Sequence, residues 1–264
     1  MANACTSQSH SEFTKRSRYH SGVSAPTADK TVELIALLEA GGEPTEGDLL
    51  RALRRASCPG RLVELAVRCR TTQGSPRLLP LLLRHPACPR HFAWEVLPRL
   101  GWRDLLEVTR DPRTPPPVRR QSERKLLDRL KTLTLGERSA LARLAPRTVI
   151  AALLAEDDPL CVEALLSNPQ FTESEALRLL HASRNAACIV ILLRHPNWGS
   201  RLEVLRAAAR SDRVPLGVAL GLVATLPGAE LERLVASTEA RARVREAARE
   251  LLRRRHGEDE KECP

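Results

Sequence analysis

Proline divides this chain at short, recurring intervals. His85-Pro86, Asp111-Pro112, Asp158-Pro159, Asn168-Pro169 and His195-Pro196 each set a polar residue before the ring. The ring pushes its predecessor out of the α region, so each dipeptide predicts a helix end. Soon after several of them stands a second proline suited to a helix start: Pro89, Pro115 and, beyond Ser211-Asp212, Pro215. Nothing is lost there, because the first helical amides have no partner inside the helix. Segments of about 8–12 residues bounded in this way are helical hairpins, and no useful length of period-2 alternation argues for strands.

The residues between the breaks agree. Apolar residues make up 42% of the 264-residue chain, but aromatics only 3%. Leu, Ala and Val must fill the core, which suits thin helical layers better than a β-sandwich.

Residues 1–26 are rich in Ser and Thr and aperiodic, and read as a disordered leader. A first helix begins near Asp29 with Val32, Leu34, Ile35, Leu37 and Leu38 at helical spacing, and Gly41-Gly42 stops it. Thr45 with Asp48 predicts a cap, and Thr134 with Glu137 and Thr172 with Glu175 predict capping boxes. Pro59 opens a helix through Leu62, Leu65 and Ala66; Thr71–Ser75 reads as a polar break, and Pro76 opens the next helix. Trp94 shares a helical pattern with Phe92, Val96 and Leu97 and reads as core. A last helix from about 239 to 255 has a polar outer face that suits a terminal cap. The expected organisation is therefore a leader at 1–26, one helical domain at 27–255, and a charged flexible tail at 256–264.

The chain also matches itself. When 85–126 is laid on 211–252, Pro89 meets Pro215, Leu100 meets Leu226, Leu105 meets Leu231, and Val118-Arg119 meets Val244-Arg245. At a second offset, LLRHP at 82–86 recurs at 192–196. Recurrence at such offsets is the mark of stacked units, each too small to bury its own apolar face.

Charge narrows the partner. The formal net charge is +10, with arginine far ahead of lysine. GC-rich codon usage accounts for part of this. The rest is a footprint for an anionic partner, an acidic protein first and nucleic acid second. Seven cysteines without a CxxC do not form a disulfide framework or zinc knuckle. With no apolar signal core and no membrane-spanning run, the expected location is cytoplasmic, away from membrane.

Together, the HP, DP and NP breaks, the short Leu/Ala helices and the VRR and VRE strings before a Leu pair resemble the HEAT-like and leucine-rich-variant family of bacterial α-solenoids. The likeness covers roughly residues 76–255. It implies an all-α right-handed solenoid of short paired helices, and a role as scaffold and protein-binding surface. One HEAT-like branch, the alkylpurine DNA glycosylases, uses a basic concave surface, tryptophans and a carboxylate. The iron–sulfur cluster of some leucine-rich-variant proteins is not expected, because Cys5, Cys58 and Cys69 are too few and too far apart.

Candidate binding residues cluster after Gly101. Trp102, Arg103 and Asp104 could stack on and stabilise a cationic base, or simply start a helix. Arg119, Arg120, Arg124 and Lys125, with Arg129 and Lys131, make a basic face interrupted by Glu123 and Asp128. His85, Cys88 and His91 have metal-ligand spacing, but His195 repeats the place of His85 with Trp198 in place of the cysteine, so this reads as helix punctuation. No nucleophile elbow, phosphate loop, dinucleotide fingerprint or HExxH is present. The expectation is a non-enzymatic interaction scaffold without cofactor or metal, and the alternative is a nucleic-acid-binding protein of the alkylpurine glycosylase type.

Overall fold

A computed structural model describes residues 27–259. The expected leader and residues 260–264 of the expected tail lie outside the described residues. In chain order the helices are α1 (Thr27–Glu39), α2 (Glu46–Leu53), α3 (Gly60–Ala66), α4 (Arg70–Gly74), α5 (Leu78–Leu83) and α6 (Arg90–Val96), which a 3-10 turn extends over Leu97–Arg99. Next come α7 (Trp102–Arg110), α8 (Pro116–Leu130), α9 (Leu135–Ala142), α10 (Arg147–Ala155), α11 (Pro159–Leu166) and α12 (Glu173–Ala182). The last are α13 (Ala186–Arg194), α14 (Leu202–Arg210), α15 (Leu216–Val223), α16 (Gly228–Ala236) and α17 (Ala242–Asp259). The fold is all-α, with no strand among the described residues. The final helix continues past Arg255, where the tail was expected to begin.

The helix ends follow local hydrogen-bond needs. Thr45 accepts the amide of Asp48, and complete capping boxes join Thr134 to Glu137 and Thr172 to Glu175. Gly41, at φ 76°, turns the chain out of α1 in a left-handed conformation that suits glycine. At the breaks, the residue before proline uses its side chain to accept the amide two residues on. Ala87 donates to His85 Nδ1 (3.1 Å), Arg113 to Asp111 (2.9 Å), Gln170 to Asn168 (2.8 Å) and Asn197 to His195 Nδ1 (3.3 Å). A turn amide beyond the helix end is thereby satisfied. Asp158-Pro159 departs from the expectation of a helix end. α10 has already stopped, and Asp158 instead caps α11 by accepting the amides of Leu160 and Cys161, with Pro159 at the first helical position.

Helices in substantial contact lie within three elements of each other along the chain. One series runs α10 to α12 to α14 to α16, and another runs α9 to α11 to α13, with α15 against α17. The core is continuous through Leu62, Leu82, Leu105, Leu126, Ile150, Leu165, Leu192 and Leu231.

The self-match extends to side-chain bonds. α7 and α16 start and stop at matched positions, and α8 and α17 start at matched positions. Arg119 donates to the carbonyls of Pro112 (3.0 Å) and Thr114 (3.1 Å), and Arg245 donates to that of Ser237 (3.3 Å). Arg129 donates to Pro98 O (2.7 Å), and Arg255 to the matched Ala224 O (3.3 Å). Each arginine ties its helix to the break before it or to the preceding turn.

Two expectations fail for tertiary reasons. Thr71–Ser75 is no break, since α4 covers most of it. Glu43 accepts the amides of Arg70 (3.0 Å) and Thr71 (3.2 Å) at its start, and Thr72 is buried. Trp94 is not core either: it is 46% exposed, while Phe92, Ala93 and Val96 of the same short helix turn inward.

Candidate functional site

The segment singled out by sequence divides between two ends of one hairpin. Trp102 opens α7 and is partly buried. Its indole N–H donates to Glu137 at the start of α9 (3.2 Å), and the guanidinium of Arg103 lies 5.0 Å over its ring. The Thr134 amide and hydroxyl, then the indole, hold the Glu137 carboxyl below its usual range. Asp104 sits in the first turn of α7, where an acid favours the helix dipole. Arg119 lies at the other end of α7, against the 111–114 turn. A nine-residue helix separates the two ends by about 13 Å.

Of the basic face on α8, Arg119 is occupied by loop carbonyls and Lys125 pairs with Asp128 (3.5 Å). Arg120 and Arg124 are exposed. The structure thus brings Trp102 and Arg103 together, places Arg119 away from them, and leaves Arg120 and Arg124 open to solvent.

His85 is architectural. Its Nδ1 accepts the Ala87 amide, and its Nε2 meets the carbonyl of Cys58 at 3.0 Å. With one nitrogen accepting, the other must carry the proton and donate. Burial pushes the Cys88 thiol up to about 12, so it stays protonated at neutral pH and makes a poor metal ligand. No cluster of three or more His, Cys, Asp or Glu able to hold a metal occurs among the described residues.

A different group of residues forms the more developed site. Between α12, α14 and α16 lies an open cleft of about 580 Å³ lined by Leu177, His181, Arg206, Arg210, Arg213 and Arg233, with Glu203, Asp212 and Glu239 also on its wall. Under it sits Glu230, only 5% exposed. Arg206 grips Glu230 with two guanidinium nitrogens, one at 2.5 Å, and Arg233 donates to the same carboxylate at 2.8 Å. The remaining nitrogen of Arg206 bonds Glu203 at 2.5 Å. The Arg206 hydrogen bonds outweigh burial and hold the Glu230 carboxyl below its usual range. Arg213 donates to the carbonyls of Ala182 (3.0 Å) and Ser183 (3.1 Å). Among the described residues, Arg210 has no hydrogen-bond or ion-pair partner, and it acts on Glu230 only at longer range.

The sequence reading missed this cleft because the self-match was followed through its apolar positions. Its signal lies in charge changes at matched positions, where Glu107 becomes Arg233 and Asp111 becomes Ser237.

No known protein family, curated protein or solved structure matches the chain. No described helix is long and apolar enough to cross a membrane.

Proposed function

We propose that this protein is a non-enzymatic interaction scaffold: a right-handed α-solenoid of the HEAT-like, leucine-rich-variant kind, presenting a basic repeat surface to an acidic protein. The observation that carries the reading is the recurrence of the same arginine clips on matched helices (Arg119 with Arg245, Arg129 with Arg255), in a chain whose described helices make their substantial contacts with near neighbours in sequence. Units joined in this manner build an extended binding surface. Open, arginine-lined clefts support it further. A second one, of about 480 Å³, is lined by Arg110, Arg119, Arg147 and Thr148.

The glycosylase alternative asks Trp102 to stack on a base. Arg103 already covers a face of that ring and Glu137 takes its N–H, while Arg119, one of the six expected phosphate contacts, is committed to carbonyls. Both observations weigh toward the scaffold.

Fluorescence anisotropy tests the choice. The purified protein is titrated against a fluorescein-labelled acidic peptide and against a labelled duplex DNA across a salt series. Saturable peptide binding with negligible duplex binding at low salt supports the scaffold. Tight duplex binding that falls steeply with salt overturns it.

A further inference from the structure

The matched halves differ most informatively at one charge pair. In the earlier copy, Arg84 is neutralised by Glu107 (3.3 Å) and approached by Asp111 (3.9 Å). At the matched positions in the later copy stand Arg210, Arg233 and Ser237. The arginine is kept and both acids are gone. Glu230 and Glu203 compensate Arg206 and Arg233 and two carbonyls take up Arg213, which leaves Arg210 as the cleft guanidinium without a hydrogen-bond or ion-pair partner among the described residues.

We propose that the cleft between α12, α14 and α16 binds one carboxylate of an extended acidic protein segment, with Arg210 as its ion-pair partner. The inference rests on the scaffold reading and names the site and chemistry of its ligand. A guanidinium presents paired donors at the spacing of carboxylate oxygens. In the earlier copy the places held here by Arg233 and Ser237 carry the carboxylates of Glu107 and Asp111 that meet Arg84. An incoming Asp or Glu therefore reproduces an interaction the fold already makes. Leu177 and Ala207 give the same wall an apolar surface for neighbouring side chains.

The rim decides between carboxylate and nucleic acid. Glu203, Asp212 and Glu239 also line the cleft. A duplex, with one charge about every 1.7 Å, would set phosphates against these acids. A single carboxylate flanked by apolar residues passes between them.

Ser237→Asp tests the idea from inside the repeat. It restores the counterpart of Asp111 beside Arg210 and keeps the turn, because Ser237 accepts the Glu239 amide as Asp111 accepts that of Arg113. The probe is a fluorescein-labelled peptide of alternating Leu and Glu, with a Leu-Gln peptide as control, read by anisotropy. Wild type binds the Glu peptide and not the Gln peptide. Ser237→Asp and Arg210→Ala each weaken binding about tenfold or more, the loss of one charge-assisted pair. Arg90→Glu, at the exposed start of α6 and outside the candidate binding residues, changes it by no more than about twofold. Thermal melts establish that each variant is folded, and Arg210→Ala alone decides should Ser237→Asp unfold. Wild-type affinity in both cleft variants overturns the cleft while leaving the scaffold reading intact. Failure of wild type to bind the Glu peptide overturns both. Loss of duplex binding, not peptide binding, in Arg210→Ala assigns the cleft to nucleic acid and overturns the proposal.

Discussion

Asp157 accepts the backbone N–H of Asn185 at 2.9 Å, across 28 residues of chain. The same carboxylate accepts the Arg184 amide (2.7 Å) and the Ser183 hydroxyl (2.5 Å). It thereby holds the entry to α13 from the end of α10. Asp157 takes a left-handed conformation to do so, at φ 52°, which any residue with a Cβ adopts at some strain. Asp157→Ala loses the three bonds and keeps the strain. The expected loss is about 2 kcal/mol of unfolding free energy, read from urea midpoints. Asp157→Gly loses the same bonds but relieves the backbone, so it falls between Ala and wild type. An alanine variant as stable as wild type would show that the clip contributes nothing.

Acid should weaken the fold through this clip and its counterpart at Glu43. Burial opposes the Asp157 charge, but the hydrogen bonds from Ser183, Arg184, Asn185 and Cys188 together hold its carboxyl below the usual range. The amide of Arg70, then the amide and hydroxyl of Thr71, do the same for Glu43. Both groups bind fewer protons folded than unfolded. Their contribution is therefore complete above the ordinary carboxylate range, about 3.9–4.3, and is lost as pH falls through that range and on through the lower folded values. Urea midpoints should stay level from neutral pH to about pH 5 and then drop. The Glu43→Gln, Asp157→Asn double variant should be less stable at neutral pH and show a shallower drop. A midpoint that rises on acidification contradicts the assignment.

What the sequence revealed and what it hid differ by the reach of the forces involved. Capping boxes at Thr134 and Thr172 and the side-chain turns at His85 and Asn168 depend on residues two or three apart, so local rules find them. The spacing of α7 and α8 against α16 and α17 is an apolar pattern and was equally readable. α4 was hidden because its first amides are satisfied by Glu43, 27 residues upstream for Arg70. Trp94 was misplaced because a helix of seven residues turns too little of its surface inward to bury both Phe92 and Trp94. The cleft was hidden because its charges come from different hairpins: Arg206 meets Glu230 across 24 residues. The Arg119 and Arg129 parts of the expected basic face are reassigned by the self-match, since Arg245 and Arg255 repeat them.

That reassignment predicts a contrast between neighbours. Arg119 reaches three carbonyls, those of Asp111, Pro112 and Thr114, while Arg120 is exposed. Arg119→Ala should lower stability by about 1–2 kcal/mol, and Arg120→Ala should stay within about 0.5 kcal/mol of wild type. Differential scanning calorimetry separates the two. Equal effects would mean that Arg119 is a surface cation like its neighbour and belongs back among the binding candidates.

Trp198 should be the most costly of the tryptophans to lose. It sits in the connection from α13 to α14, buried, and packs edge-on against Phe171 in the preceding α11–α12 connection at 5.1 Å. Its indole N–H donates to Leu166 O (3.0 Å) at the end of α11, and Arg201 lies 4.7 Å over the ring. Two successive breaks are locked together by one side chain. Removing the ring leaves a cavity that Leu and Ala neighbours fill only in part, so Trp198→Ala should cost about 3–5 kcal/mol. Trp198→Phe keeps most of the volume and loses the hydrogen bond, for about 1–2 kcal/mol. Trp94→Ala, at the exposed site, should cost less than either. Fluorescence supplies an independent check, because the buried indole emits to the blue of the exposed one. Trp198→Phe should shift native emission to longer wavelength, and an unchanged spectrum would argue that the ring is not enclosed.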